Sequence, residues 1–278
     1  MVTAGEARSL PMPPARDEIS RLAATLNDML ARLQAAVEHE RRFVADASHE
    51  LRTPLALLRT ELDLALRRPR SHRELEEALR SAAEETERLS RLAGDLLLIA
   101  RSDQGSLPVQ RETLSARGLL ADAAERFAGR AATFGRELHV EPADAYADAD
   151  PVRASQALVN LVDNALTHGS GTVELAVEER DGFVELHVRD EGNGFPEGFR
   201  DRAFHRFSRA DEARSRGGSG LGLSIVELVA DAHGGRAGVS NRPGRGADVW
   251  LSLPRAHLGE APGHGDETAG SPHHVLPA

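Results

Sequence analysis

Cysteine and lysine are both absent from this 278-residue chain. Without cysteine there is no disulfide framework, no thiol nucleophile and no thiolate metal site, and a reducing compartment is compatible with the composition. Without lysine, all 34 Lys+Arg cations are arginines, so any side-chain cation that meets phosphate must be a guanidinium or a protonated histidine. No apolar run approaches the roughly 18 residues of a membrane span, and Met1 is not followed by a signal-like apolar segment. The sequence as given reads as a soluble chain. Positive charge is in deficit, and a net charge of −10 argues against bulk nucleic-acid binding, which needs a basic face. The hydrophobic content of 40% supports packed cores, and the length suits one large or two ordinary domains.

After a proline-rich start, Leu10 to Pro14, the residues Ile19, Leu22, Leu26, Met29, Leu33 and Ala36 follow heptad spacing. They lead towards Val44 without a strong breaker, and the pattern predicts one long helix from about Asp17 to Arg67. Arg67 to His72 is the turn, with Ser71 or His72 preceding a second helix that carries Glu74, Glu76 and Glu77 where negative charge suits the dipole. Its seam runs Leu75, Leu79, Ala82, Thr86, Leu89, Ala93, Leu96 and Ala100. Two such helices form an antiparallel hairpin that cannot bury both apolar faces alone. A second copy, giving a dimeric four-helix bundle, is the simplest remedy; packing on the downstream domain is the other.

Ser102 to Pro108 is a linker by its turn residues. Beyond it the pattern predicts a helix near Ala116–Ala131, short strands near Glu137–Val140 and Ala145–Ala147, and a helix from Pro151 to about Thr167. Strands follow at Thr172–Glu178 and Phe183–Val188, then a Gly- and Arg-rich stretch, a helix Leu221–His233, and strands near Arg236–Ser240 and Ala247–Leu253. This is an α/β sandwich. From about Ala256 the chain has too little apolar content to order itself, and its His273-His274 pair is read as part of that tail rather than as a metal site.

Within the first helix, Phe43 to Leu55 carries the most specific pattern of the chain. Val44, Ala47, Leu51, Leu55, Leu58, Leu62 and Leu66 form an apolar stripe expected to be buried. His49 lies roughly 200° around the helix from Leu51 and so should face solvent, with Thr53 on the same face and Glu50 adjacent. Pro54 lacks the amide that would bond the Glu50 carbonyl, so the backbone should bend or loosen beside the histidine. Taken alone, the run is also compatible with a surface helix carrying one of twelve histidines.

Three further strings converge on a nucleotide. Asn160 and Asn164 lie four apart on a helix whose other face is Leu158, Leu161, Val162, Ala165 and Leu166, and carboxamides in such a setting need polar partners, which a hydrated magnesium ion and its phosphates provide. In Val188 to Gly194 a strand ends in Asp190, an acceptor suited to an adenine amino group, and Gly192 and Gly194 permit close backbone approach. Gly217 to Leu223 offers backbone amides and a helix N-terminus to phosphate oxygens.

Together these strings resemble the sensor histidine kinases of two-component signalling. Ser48 to Leu55 looks like the family's phosphoacceptor box, Asn160 to Ala165 its asparagine box, and Asp190 to Gly194 its first glycine box. Phe204 to Arg209 resembles the phenylalanine box and Gly218 to Leu223 the second glycine box. The resemblance covers about residues 17–255 and implies a dimeric helical-hairpin four-helix bundle followed by an α/β sandwich of the GHKL (Bergerat) ATPase type. Asp17 to Ile19 with Asn27 to Leu30 also resembles the second half of the membrane-proximal HAMP linker. The implied organisation is a partial HAMP or signalling helix over 1–37, a dimerisation and phosphotransfer hairpin over 38–103, an ATP-binding domain over 104–255 and a disordered tail over 256–278. The expectation is a cytoplasmic fragment or truncated product of a membrane-associated sensor.

By the same resemblance, His49 takes the γ-phosphoryl group of ATP, Glu50 holds the other ring N–H, and Thr53 helps a water attack the phosphorylated regulator. An imidazole near its ordinary pKa of about 6.5 is largely uncharged at neutral pH and needs no strong activation. Asn164, with Asn160 nearby, holds magnesium, and Asp190 reads adenine. Gly192, Gly194, Gly218, Gly220 and Gly222 shape the pocket and lid, and His168, Phe207 and Leu221 complete the nucleotide set. Of the lid arginines, Arg209 and Arg214 are the candidates for phosphate contact; the rest read as a solvated charge run. Thr167 stands where many relatives have a basic residue, which makes a lid arginine more necessary. The expected partners are a second copy and a response-regulator receiver domain docking around Leu55–Leu66. A chaperone- or repair-type ATPase of the wider fold family, and a silent dimerisation module, are the alternatives; the upstream His49 hairpin opposes the first, and the presence of His49, Asn164 and Asp190 the second.

Overall fold

The computed structural model describes residues 18–67, 71–103, 105, 107–210, 218–242, 244 and 246–256. The expectations placed on Asp17, on the proline-rich start, on Arg214 and Gly217, and on His273 and His274 of the tail lie outside these residues. The chain forms two compact units, Met1–Ser106 and Leu107–Ala278.

The first unit is the predicted hairpin, α1 (Glu18–Arg67) and α2 (His72–Asp103). α2 starts in a capping box: the Glu74 amide donates to the Ser71 hydroxyl at 3.4 Å, and the Ser71 amide donates to the Glu74 carboxylate at 2.8 Å. That reciprocal pair settles Ser71 as the cap. The helices are tied across the hairpin by the Ser81 hydroxyl, which donates to the Glu61 carboxylate at 3.0 Å. α1 runs unbroken through Pro54, which is buried. The proline ring is thus spent on packing as well as on removing a backbone donor.

The apolar stripe is not uniformly buried. Ala47, Leu51 and Leu58 are half-buried, while Val44, Leu55, Leu62 and Leu66 of α1 and Leu75 and Leu79 of α2 are exposed, Leu66 to 85%. A helix with apolar residues wider than one contact face fills one neighbour and leaves the remainder uncovered, so one copy satisfies only part of the pattern.

The second unit is an α/β sandwich. Its elements are β1 (Glu112–Ser115), α3 (Ala116–Thr133), β2 (Leu138–Val140), β3 (Tyr146–Ala149), α4 (Pro151–His168), β4 (Val173–Arg180), β5 (Phe183–Arg189), α5 (Gly222–Ala232), β6 (Ala237–Asn241) and β7 (Ala247–Pro254). Five strands make one sheet in the order β2-β4-β5-β7-β6, with β2 parallel to β4 and the other pairs antiparallel. Val184, Leu186 and Val188 of β5 pack beneath the helices with Leu158, Leu161 and Ile225, all essentially sealed from solvent. β1 pairs with β3 in a separate two-stranded ribbon that the sequence pattern did not anticipate.

α4 is placed firmly at its start. The Asp150 carboxylate accepts from the Val152 and Arg153 amides at 3.0 and 3.1 Å and from the Gln110 amide at 2.9 Å, with Pro151 in the first turn. The Asp150 amide donates to Nε2 of buried His233 at 2.9 Å, so the His233 proton sits on Nδ1 and is donated to the Val229 carbonyl at 2.7 Å. Caps and core therefore fix the helix that carries Asn160 and Asn164.

Candidate functional site

On α1, His49 is exposed, as its angular position predicts, and Glu50 beside it is half-buried. Thr53 is exposed on the same face and its hydroxyl donates to the His49 carbonyl at 3.4 Å; the Ser48 hydroxyl donates to the Val44 carbonyl at 2.7 Å. Both hydroxyls bond back onto the preceding turn, as Thr25 and Thr60 do elsewhere on α1, and here they precede a proline that removes a backbone donor. The imidazole is left open to an incoming group.

In the second unit the centre of the site is Asp190, the first residue after β5, 6% exposed. Its Oδ1 accepts from the Gly192 amide at 2.7 Å, and its own amide donates to the Ala247 carbonyl at 3.0 Å. Burial raises its pKa above the usual aspartate range, against amide hydrogen bonds from Gly192 and Ala247 and the charges of Arg136 and Arg242. Glycines enclose it. A Cβ at Gly169 would stand 2.5 Å from its Cγ, one at Gly192 2.9 Å from Oδ1, and one at Gly246 1.9 Å from its carbonyl oxygen. Gly246 also has φ +48°, so a side chain there is excluded both by space and by backbone conformation.

The asparagines are half-buried on the face of α4 left free by Ala154, Ala157, Leu158, Leu161, Val162, Ala165 and Leu166. α5 reaches the same place, since a Cβ at Gly222 would lie 3.5 Å from Oδ1 of Asn160. Leu221, buried, anchors the start of α5, and Gly220, at φ +68°, presses on the backbone of Phe207, itself at φ +59°. A Cβ at Gly220 would come within 2.8 Å of the Phe207 carbonyl carbon. The phenylalanine and second glycine strings are thereby in contact through Phe207 and Gly220, 13 residues apart in sequence. Arg209 is half-buried; His168 and Gly218 are exposed.

Several supporting residues carried no sequence signal. Arg136 closes the end of α4: its guanidinium donates to the carbonyls of Ala165 and Leu166 in the last turn at 2.7 and 3.1 Å and to those of Gly171 and Ser170 just beyond it at 2.7 and 2.9 Å, so the Leu166 acceptor of the helix end is used. Burial draws its pKa below the usual arginine range, against the pull of Asp190 and Glu191. Asn241 clamps the backbone of Phe195, accepting from its amide at 2.7 Å and donating to its carbonyl at 2.8 Å. Thr167, the position without the expected cation, receives one from α3: Arg130 pairs with Asp163 and donates to the Thr167 hydroxyl at 3.1 Å. Each depends on pairing across 29 or more residues, so no local string announces it.

Residues 39–105 match the family described as the His Kinase A (phospho-acceptor) domain, and residues 149–257 the family described as histidine kinase-, DNA gyrase B- and HSP90-like ATPase. The probable sensor histidine kinase HK of Mycobacterium tuberculosis is 41% identical over 211 residues, 76% of this chain and 52% of that protein. Full-length ShkA, solved in complex with AMPPNP, is 28% identical with a TM-score of 0.58 over 81% of this chain and 46% of that one. Histidine kinase ThkA, solved in complex with response regulator protein TrrA, shares the fold at 20% identity, with a TM-score of 0.60 over 86% of this chain and 68% of that one. The chain spans about half the length of the curated relatives it matches.

Fold and family matches thus give a helical hairpin of the phospho-acceptor type followed by an α/β domain of the histidine kinase-like ATPase type. The chain belongs to the sensor histidine kinases of two-component systems, as the five sequence strings imply.

Proposed function

We propose that this chain phosphorylates His49 from ATP and passes the phosphoryl group to an aspartate of a response-regulator receiver domain, with dephosphorylation of that regulator as a second output. The observation that carries the reading is the exposed imidazole of His49 on α1 in the same chain as the glycine-enclosed carboxylate Asp190. A ring nitrogen of His49 attacks the γ-phosphorus; an N–P bond forms, the bond to the bridging β–γ oxygen breaks, and ADP leaves. Glu50 holds the remaining ring N–H, fixing the tautomer and balancing the charge that grows on the ring.

Asp190 accepts from the adenine amino group. Carboxamide oxygens are hard neutral donors of the kind magnesium takes, and Asn164, with Asn160 one turn before it, would hold the ion. When bound, magnesium neutralises charge on the phosphates. Gly192, Gly194, Gly218, Gly220 and Gly222 bring backbone close to the nucleotide, with His168, Phe207, Leu221, Arg209 and Arg214 completing its surroundings. Thr53 orients the water in the dephosphorylation reaction, and the receiver domain docks around Leu55–Leu66.

The exposed leucines of the hairpin support a homodimer in which two hairpins make a four-helix bundle. We assign 1–37 to a signalling helix like the second half of a HAMP linker, 38–103 to dimerisation and phosphotransfer, 104–255 to ATP binding and 256–278 to a tail. No helix among the described residues is long and apolar enough to cross a membrane; we place this chain as the cytoplasmic portion of a membrane-associated sensor.

The test is incubation of the purified chain with γ-labelled ATP and magnesium beside His49→Gln and Asn164→Ala. Acid-labile, alkali-stable label is expected in the parent and lost in both variants. Label that persists in His49→Gln would sink the assignment of the acceptor.

A further inference from the structure

The face of the sheet turned away from the helices carries a polar cluster that the kinase reading does not use. The register of β5 with β4 and β7 puts Glu185, His187 and Arg189 on the same face as Glu174 and Glu178 of β4 and Asp248 and Trp250 of β7. Polar residues on an outer sheet face are ordinarily solvated. Here His187 is only 5% exposed and Glu185 only 8%.

Nδ1 of His187 lies 2.9 Å from Oδ1 of Asp248, whose Oδ2 accepts from Nε of Arg189 at 3.2 Å. Asp248 therefore fixes the ring and keeps the Nδ1 proton. Nε2, fully buried, has no hydrogen-bond partner, and it faces Oε2 of Glu185 at 3.5 Å and Oε2 of Glu178 at 4.0 Å. Leaving a buried ring nitrogen unpaired between two carboxylates is costly unless something sits between them. Among the described residues, Glu178, Glu185 and His187 are the His, Asp and Glu side chains whose ligand atoms converge, all within 4.8 Å of one another.

We propose that Glu178, Glu185 and His187 bind one divalent transition-metal ion of the zinc class on the outer face of the sheet. One imidazole nitrogen and two carboxylate oxygens are a zinc donor set, with a fourth position left to water. Metal–ligand lengths of about 2.0–2.2 Å put two ligands of a tetrahedral ion roughly 3.4 Å apart, so the spacing of Nε2 and Glu185 already suits a shared ion. Glu178, half-buried, has its Oε1 held by Arg189 and its Oε2 3.7 Å from the Arg180 guanidinium, so it keeps the first pair and turns Oε2 from Arg180 by about half an ångström to close the remaining gap. The bond from His187 to Asp248 is the outer carboxylate contact that orients a ligating histidine and leaves its other nitrogen free. Four carboxylates, Glu174, Glu178, Glu185 and Asp248, meet three guanidiniums here, those of Arg180, Arg189 and Arg242. An imidazole ligand separates this site in chemistry from the oxygen-only set that magnesium prefers. The ion would link neighbouring strands β4 and β5 three residues before Asp190.

Trp250, the only tryptophan of the chain, has its ring centroid 6.1 Å from that of His187 and reports on the site directly. The full, untagged chain is stripped with chelator and titrated with Co2+ while tryptophan emission is followed. Quenching that saturates at one equivalent, reverses with Zn2+ and survives millimolar Mg2+ is expected. Glu185→Gln and Glu178→Gln should each weaken the apparent affinity at least tenfold while the far-UV spectrum of the metal-free chain is unchanged. Absence of saturable quenching would overturn the proposal, as would quenching that both glutamine variants leave intact, because the ion would then be bound at other histidines.

Discussion

Asp150 shows how much of the candidate site rests on a residue whose carboxylate is spent on backbone amides. Its carboxylate gathers three amides from two segments. Burial alone would raise its pKa, but hydrogen bonds from Gln110, Arg153 and Val152 and the charge of Arg153 outweigh it and hold the group below the usual aspartate range. Asp150→Ala should cost about 1–2 kcal/mol, the scale of a lost cap. A depressed folded pKa stabilises above the unfolded value near 3.9 and loses that contribution as pH falls through the folded value. Chemical denaturation of parent and variant should therefore give a constant difference above about pH 5 and a shrinking one below about pH 4. At Gly246 the expected failure is local. Gly246→Ala has nowhere to put its methyl group except into the Asp190 carbonyl, so nucleotide affinity measured by calorimetry should fall at least tenfold, whereas Gly129→Ala, on α3 with open space around it and no positive φ, should leave binding near the parent value.

At the scale of elements, the two-helix hairpin and the strands β4, β5 and β7 were legible because periodicity of 3.6 or 2 states which side of an element is apolar. The stripe along α1 was legible as apolar but not as divided between neighbours, since a sequence does not say how many partners will share one face. β1, four residues with a largely exposed pattern, escaped because its reason for being a strand is the edge of β3. The same holds in the site. Asp190, Asn160 and the glycine strings sit in short contiguous motifs, whereas Arg136, Asn241 and Arg130 act across long sequence separations and have no local signature. The uncovered hairpin face also yields a prediction. Leu62→Glu combined with Leu79→Glu places charge among leucines that one copy leaves open, and analytical ultracentrifugation should find a shift from dimer to monomer with helical content maintained.

For the whole molecule, the aromatic residues divide the two units spectroscopically. Trp250 and Tyr146 both belong to the second unit, and the long helices to the first. Tryptophan-monitored melting should rise with ADP and magnesium, by the equivalent of about 2.7 kcal/mol at a hundredfold excess over Kd. On the proposed pairing of two hairpins, helix-monitored melting should instead fall on dilution. Nucleotide that leaves the tryptophan transition unmoved would contradict the placement of Asp190 in the binding site. β5, finally, is the central strand of five and is committed on both sides, with valines and leucine against the helices and glutamate, histidine and arginine on the reverse. A slip of one residue against β4 or β7 would exchange those two sets and carry Asp190 about 3.3 Å along the strand. The alignment of the Asp190 carboxylate is therefore inherited from strand pairing, and on the proposed role of Asp190 a mispaired folding intermediate of this domain would be blind to ATP.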